Sequence, residues 1–309
     1  MSYNHARLGF RLFFVVAVFG IVSCNRGHAG EQLSRISLPV HVIDLSIYSQ
    51  HPPNKVLNLL FIHHSVGGQW LADHGTNNCE HCICITHPNG GGLRSLLETN
   101  HYNVHEASYT SIIGDKTDIT DWPKKFSKQM NRILHTEKQD TLLPQGEKND
   151  IIMFKSCFPN NFFPDNQSVE KAMGAYRTLL PIFRQYPQTL FIAVTAPPMV
   201  RPYETSQPVK VFLKKMLGRY TDVPAIGERA RQFNNWLKDV RHGWLAQYGQ
   251  ENVVVFDYYD ILTKHGKSNW TQYPTGAGTD SHPSSEGNRK AAELFVPFLN
   301  RAIHRAGLD

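Results

Sequence analysis

Five short runs of mostly apolar residues recur along the chain, at 56–62, 103–109, 151–154, 190–194 and 253–256. Runs this short and this continuously apolar suit strands buried on both faces. Between them lie segments with helical spacing. Residues 122–134 carry Phe126, Met130 and Ile133, and 169–183 carry Met173, Tyr176, Leu179, Leu180 and Phe183. Residues 225–248 carry Phe233, Trp236, Leu237, Val240, Trp244 and Leu245. The last helix, 284–303, opens on the capping sequence Ser284-Ser285-Glu286 and aligns Ala291, Leu294, Phe295, Phe298 and Leu299; Pro297 is expected to kink it. Strands alternating with helices demand right-handed crossovers. The expectation is an α/β three-layer sandwich, with an about five-stranded parallel sheet and helices on both faces.

In such sheets the ligand sits beyond the carboxyl ends of the strands, so the loops after each strand deserve inspection. The first strand runs into His63-His64-Ser65-Val66-Gly67-Gly68, where a turn can hold a hydroxyl clear of the sheet. The third runs into Lys155-Ser156-Cys157-Phe158-Pro159-Asn160-Asn161, a source of side-chain amides. Ahead of the last helix stands Gly278-Thr279-Asp280-Ser281-His282-Pro283, a carboxylate two residues from an imidazole. A serine needs a base within reach to become a nucleophile, and the base needs an acceptor to orient it. The fold would gather all three loops at one sheet edge.

The amino terminus reads as an export signal. Arg7 and Arg11 accompany an apolar run at 12–22 that is too short for a bilayer span. Ile21-Val22-Ser23-Cys24 then resembles the bacterial lipobox, which implies a signal peptide at 1–23 and lipid on Cys24. The other readings are an ordinary cleavage after Ala29 in Gly27-His28-Ala29 and an uncleaved anchor. Residues 24–54 read as a tether, with one edge strand at 40–47, and 55–309 as the folded domain, with 197–224 as a proline-punctuated loop or lid. In an exported chain, Cys79, Cys82, Cys84 and Cys157 favour disulfides; the cluster Cys79-Glu80-His81-Cys82-Ile83-Cys84 leaves a zinc site as the minority reading.

With 41% hydrophobic and 19% charged residues among 309, the composition is that of a globular protein and excludes a disordered chain. The net charge of +6 comes from scattered basic residues, which argues against a nucleic-acid partner.

The blocks Phe61-Ile62-His63-His64-Ser65-Val66-Gly67-Gly68, Gly114-Asp115, Phe158-Pro159-Asn160 and Asp280-Ser281-His282-Pro283, in that order, resemble the SGNH (GDSL-type) hydrolases. The resemblance runs from about Val56 to Leu299 and extends to a bacterial subgroup of exported proteins with a His-His-Ser block. It implies a flavodoxin-like fold and ester hydrolysis without a cofactor. By position, Ser65 would be the nucleophile, His282 the general base and Asp280 its orienting carboxylate. Asn160, the backbone N–H of Ser65 and that of Gly114 would form the oxyanion hole. His64, Asn161, Trp270 and Tyr273 are candidate substrate contacts.

Three features depart from the family pattern. His64 replaces the aspartate before the serine, Ser156-Cys157 replaces the third-block glycine, and Asp-x-His replaces Asp-x-x-His. The expected function is an exported, lipid-anchored serine esterase acting on a small-molecule or glycan ester, with the membrane met only through the anchor. Two other readings stand. A non-catalytic envelope binding protein is favoured by the shortened Asp-x-His, and a metal-dependent hydrolase would use His63, His64, Asp280 and His282.

Overall fold

The computed structural model describes residues 39–73, 90–203 and 221–309. Its regular elements all lie in the unit Val40–Asp309. The main sheet contains β1 (Leu57–Ile62), β2 (Tyr102–Ala107), β3 (Thr136–Lys138), β4 (Thr141–Leu142), β5 (Ile151–Lys155), β6 (Leu190–Val194) and β7 (Val253–Phe256). These run in the order β4-β3-β2-β1-β5-β6-β7, all parallel except the pair β3 and β4. The five expected strands are there. The two additional ones are a three-residue and a two-residue piece at one edge, mostly exposed, with no apolar run to announce them.

The helices are α1 (Ser65–Leu71), α2 (Leu93–Glu98), α3 (Trp122–His135), α4 (Asn166–Arg177), α5 (Leu179–Phe183), α6 (Val223–Lys238), α7 (Tyr258–Leu262) and α8 (Ser285–Ala306). Successive side chains of β1 take opposite faces, as the period of two in a strand requires. Leu59 and Phe61 join a core built with Trp70, Leu97, Phe295 and Leu299 from α1, α2 and α8. Leu60 and Ile62 join one built with Phe126, Met173, Phe183 and Phe233 from α3 to α6. The result is the α/β three-layer sandwich.

Several boundaries differ from the sequence expectation. The segment at 169–183 is two helices meeting at Thr178, because Pro181 has no N–H to continue the ladder back to Arg177. The segment at 225–248 stops at Lys238. Its chain then doubles back so that the Trp244 N–H meets the Trp236 carbonyl at 2.9 Å, and Gly243 sits where a Cβ would lie 2.0 Å from that same oxygen. The last helix continues from Ser285 to Ala306 with Pro297 inside it. Residues 40–47 form no strand. They and the residues after them lie against the domain through backbone carbonyls, with His41 taking the Val240 N–H at 2.7 Å and Gln50 the Asn300 amide at 2.7 Å. The amino-terminal signal, Cys24, Cys79, Cys82, Cys84 and residues 204–220 of the expected lid lie outside the described residues.

From β1 the chain moves outward through β2 to β3, then returns to place β5 on the other side of β1. The order therefore reverses between β1 and β5, and the crevice beyond their carboxyl ends is the natural ligand site. Directly behind it lies Trp70, fully buried, stacked on Tyr258 at 4.8 Å and edge-on to Phe295 at 5.3 Å. Trp70→Ala is expected to cost about 3–5 kcal/mol, since α1 would lose its main anchor. Chemical unfolding measured beside the wild type checks this.

Candidate active site

The first functional side chain is placed by the β1–α1 turn. The His63 N–H extends the β-ladder to the Ala107 carbonyl at 3.0 Å, His64 stands at the helix N-cap, and Ser65 is the first helical residue. What fixes this turn is charged and buried. His63, Glu106 and Arg94 have exposures of 0%, 2% and 7%. His63 Nδ1 lies 2.7 Å from the His64 carbonyl, which can only accept, so Nδ1 carries a hydrogen. Nε2 lies 2.9 Å from Glu106 Oε1, so a second proton is shared there. The other Glu106 oxygen is held by the Arg94 guanidinium. Gly67 completes the arrangement, because any Cβ there would fall 2.3 Å from His63 Cβ.

The second and third side chains come from an element that left no apolar signature. A two-stranded antiparallel hairpin pairs β8 (Pro274–Thr275) with β9 (Asp280–Pro283). Its turn passes through Gly276, Ala277 and Gly278, with φ of 56°, 54° and 93°. Asp280 and His282 stand at i and i+2 on one strand, and residues so spaced face the same side. The spacing that departs from the family pattern thus delivers both groups together: Asp280 Oδ1 accepts from His282 Nδ1 at 2.7 Å and from the His282 backbone N–H at 3.0 Å. With Nδ1 donating, Nε2 is the basic nitrogen, and it lies 3.0 Å from Ser65 Oγ. Burial pushes the Asp280 carboxyl up, but the hydrogen bonds from the His282 backbone and ring outweigh it and hold the group below its ordinary value. Phe158 packs edge-on against His282 at 5.1 Å, and Ser281 Oγ accepts the Val200 N–H at 3.0 Å, tying the hairpin to the loop after β6.

The other expected site residues fall differently. His64 stacks on Tyr109 at 3.8 Å, and its Nε2–H donates to the Gly114 carbonyl at 2.9 Å. Burial lowers its pKa from 6.5 to about 4, so the ring is neutral at neutral pH. The Gly114 N–H donates to Ser111 Oγ at 2.9 Å, inside its own turn. Asn160, on a 3-10 turn at Phe158–Asn161, gives one amide hydrogen to Asp118 at 2.9 Å and takes the Ile119 N–H at 2.8 Å. Asn161 faces the scaffold instead of the crevice. It is 2% exposed, donates to the Ala196 and Pro197 carbonyls at 2.7 and 2.9 Å, and accepts from Asn234 at 2.8 Å. Tyr273 is likewise packed, against Gly287 and beneath the Lys264 and Lys290 ammonium groups, because its ring closes the core over α8. Trp270 rests on Gly227 of α6.

Among the described residues Cys157 is a free thiol, 4.0 Å from Ser65 Oγ, and the other cysteines of the expected set lie outside them. Among the described residues no three His, Cys, Asp or Glu side chains are grouped to hold a metal ion. His63 and His64 are turned to Glu106 and Gly114, away from the set that the metal reading needed. Sequence reasoning missed Glu106, Arg94 and Tyr109. A glutamate inside an otherwise buried strand was the available signal for the first.

The model of the GDSL-like Lipase/Acylhydrolase family matches residues 92–295, so the chain belongs to that family, a family of ester hydrolases. The matched stretch includes Asp280 and His282 and begins after Ser65. Among solved structures, the chain is similar to a protein of Bacteroides fragilis provisionally described as an acylhydrolase, with 13% identity over 79% of this chain and 87% of that one and a TM-score of 0.41. It is also similar to a family 2 carbohydrate esterase with a carbohydrate-binding domain from Corynascus thermopiles (Myceliophthora fergusii), with 12% identity over 82% and 67% and a TM-score of 0.41. A third is a family two carbohydrate esterase from Clostridium thermocellum in complex with cellohexaose, with 14% identity over 80% and 65% and a TM-score of 0.35. No curated protein matches the sequence.

Two predictions follow from the burial of Glu106 and His64. Glu106→Gln leaves the Arg94 guanidinium without its carboxylate and is expected to destabilise the fold by about 3–5 kcal/mol, read from urea unfolding. For His64, a folded pKa of about 4 against the ordinary 6.5 means that only the unfolded chain takes up a proton between those values. Its contribution is full above pH 6.5 and declines as the pH falls toward 4. His64→Gln should flatten the stability curve within that window, measured by unfolding across it.

Proposed function

We propose that this chain is an exported serine esterase that works through an acyl-enzyme. The observation that carries the reading is the continuous path from Ser65 Oγ to His282 Nε2 at 3.0 Å and from His282 Nδ1 to Asp280 at 2.7 Å. In this reading Ser65 Oγ attacks the ester carbonyl while His282 Nε2 takes its proton. The carbonyl π electrons move onto oxygen, where the Ser65 N–H stabilises the charge. Collapse expels the alcohol, which receives the proton from His282. Water then repeats the cycle and releases the acid. Asp280 stays ionised throughout, keeping Nδ1 protonated and the ring aimed.

The shortened Asp-x-His pair was the feature that favoured a binding protein. On an extended strand it reaches the imidazole at hydrogen-bond distance, which supports the hydrolase. The proposed substrate class is an O-acyl group on a carbohydrate or envelope glycan. That proposal draws on the export signal read in the sequence, with Cys24 as the lipid anchor.

The test is a fluorophosphonate probe followed by mass spectrometry. A single adduct on Ser65, absent from Ser65→Ala, is the expected outcome; folded protein that takes no adduct would overturn the reading. Asp280→Asn should lower kcat by about 10³–10⁴, because an amide cannot hold the required tautomer. Its thermal midpoint should stay near that of the wild type.

A further inference from the structure

The geometry points to Tyr109 as a catalytic residue, a side-chain hydrogen-bond donor to the oxyanion beside the Ser65 N–H. The inference deepens the proposed function and rests on Ser65 being the nucleophile.

A tetrahedral intermediate needs donors aimed at the oxygen that gains charge. Of the three groups expected to supply them, the Gly114 N–H is engaged with Ser111 Oγ at 2.9 Å, and Asn160 has given one of its two amide hydrogens to Asp118 at 2.9 Å. The third, the Ser65 N–H, points at the Tyr109 hydroxyl oxygen, 3.3 Å away. The phenol oxygen therefore sits in the place that the oxyanion of an attacked ester takes next to that N–H. It holds this place as an acceptor, and a phenol has one hydrogen of its own to give. When a substrate carbonyl oxygen enters and the phenol gives way, that hydrogen lies next to the incoming oxygen.

The surroundings hold the ring beside this place. Its ring stacks on His64 at 3.8 Å with the planes 25° apart, and His64 is anchored in turn on the Gly114 carbonyl. The main chain on either side is held by Gln139, whose Oε1 takes the Ser108 N–H at 2.9 Å and whose Nε2 donates to the Tyr109 carbonyl at 3.1 Å. Gly114 then acts through its carbonyl and its closeness to Ser108, where a Cβ would fall 2.1 Å from the Ser108 oxygen. The donor and the residue that would have carried the aspartate of the family's Gly-Asp-Ser block thus form one unit. No proton leaves the phenol: it donates a hydrogen bond as the carbonyl π pair moves onto oxygen, and the serine proton goes to His282.

The experiment compares Tyr109→Phe and Ser65→Ala with the wild type, using p-nitrophenyl acetate as probe and the fluorophosphonate labelling rate as a second readout. Tyr109→Phe keeps the ring and its stack. It should lower kcat/KM and the labelling rate together, by about tenfold to a hundredfold. KM should stay within about twofold and the thermal midpoint should not change, effects that loss of a packing contact would not reproduce. If Ser65→Ala is inactive while Tyr109→Phe retains wild-type kcat/KM, or if Tyr109→Phe fails to fold, the role assigned to Tyr109 is overturned and the serine reading survives. If Ser65→Ala keeps wild-type turnover, both fall.

Discussion

The rest of the site depends on a buried ionic contact: Glu106, on β2, held between the His63 imidazole and the Arg94 guanidinium. Three ionisable side chains with almost no exposure persist only when each finds its partners, because an unpaired charge in that environment costs several kcal/mol. Here His63 comes from the turn after β1, Glu106 from β2 and Arg94 from α2, so the network joins the turn that carries Ser65 to the neighbouring strand and to a helix packed beside it. Its output is directional. His63 Nδ1 grips the His64 carbonyl, which also accepts the Gly67 N–H at 2.8 Å, and the first turn of α1 is fixed from below. Ser65 inherits its position from that turn.

On the opposite side of the crevice the positioning is done by backbone. The β8–β9 hairpin has a turn with three consecutive positive φ values, and its second strand presents Asp280 and His282 on one face. A strand advances about 3.3 Å per residue with side chains alternating, so a gap of one residue is the natural spacing for two groups that must touch. A helical or turn segment would need a different gap. The Asp-x-His pair is therefore a consequence of the local conformation, and the carboxylate bonds both the ring and the backbone N–H of its partner.

Much of this was legible in the chain. The five main strands and their order relative to the helices follow from hydrophobic periodicity, since an apolar run of that length has few other places to go. Ser65, Asp280 and His282 stood out because each lies in a loop that follows a strand or precedes a helix. Asn161, Tyr273 and Trp270 are candidate substrate contacts in the sequence; in the structure Asn161 and Tyr273 are buried in the scaffold, and the half-buried Trp270 lies against α6. An asparagine after Pro159 gives no local sign of whether its amide meets solvent or the carbonyls of Ala196 and Pro197, residues 35 and 36 positions away. The break at Thr178 was readable in retrospect from Pro181. The end of α6 at Lys238 was not, because it depends on the Gly243 turn closing on Trp236.

By itself the sequence determined the layered α/β architecture, the strand-end addresses of Ser65, Asp280 and His282, and the resemblance to a hydrolase family. These are properties of pattern and spacing, which a linear chain carries explicitly. Tertiary structure decided which polar groups meet: His63 with Glu106 across 43 positions, Ser65 with His282 across 217, and the Ser65 N–H with the Tyr109 hydroxyl across 44. Hydrogen bonds act over about 3 Å and depend on direction, so their partners are fixed only once the sheet has closed and the loops are held at its edge.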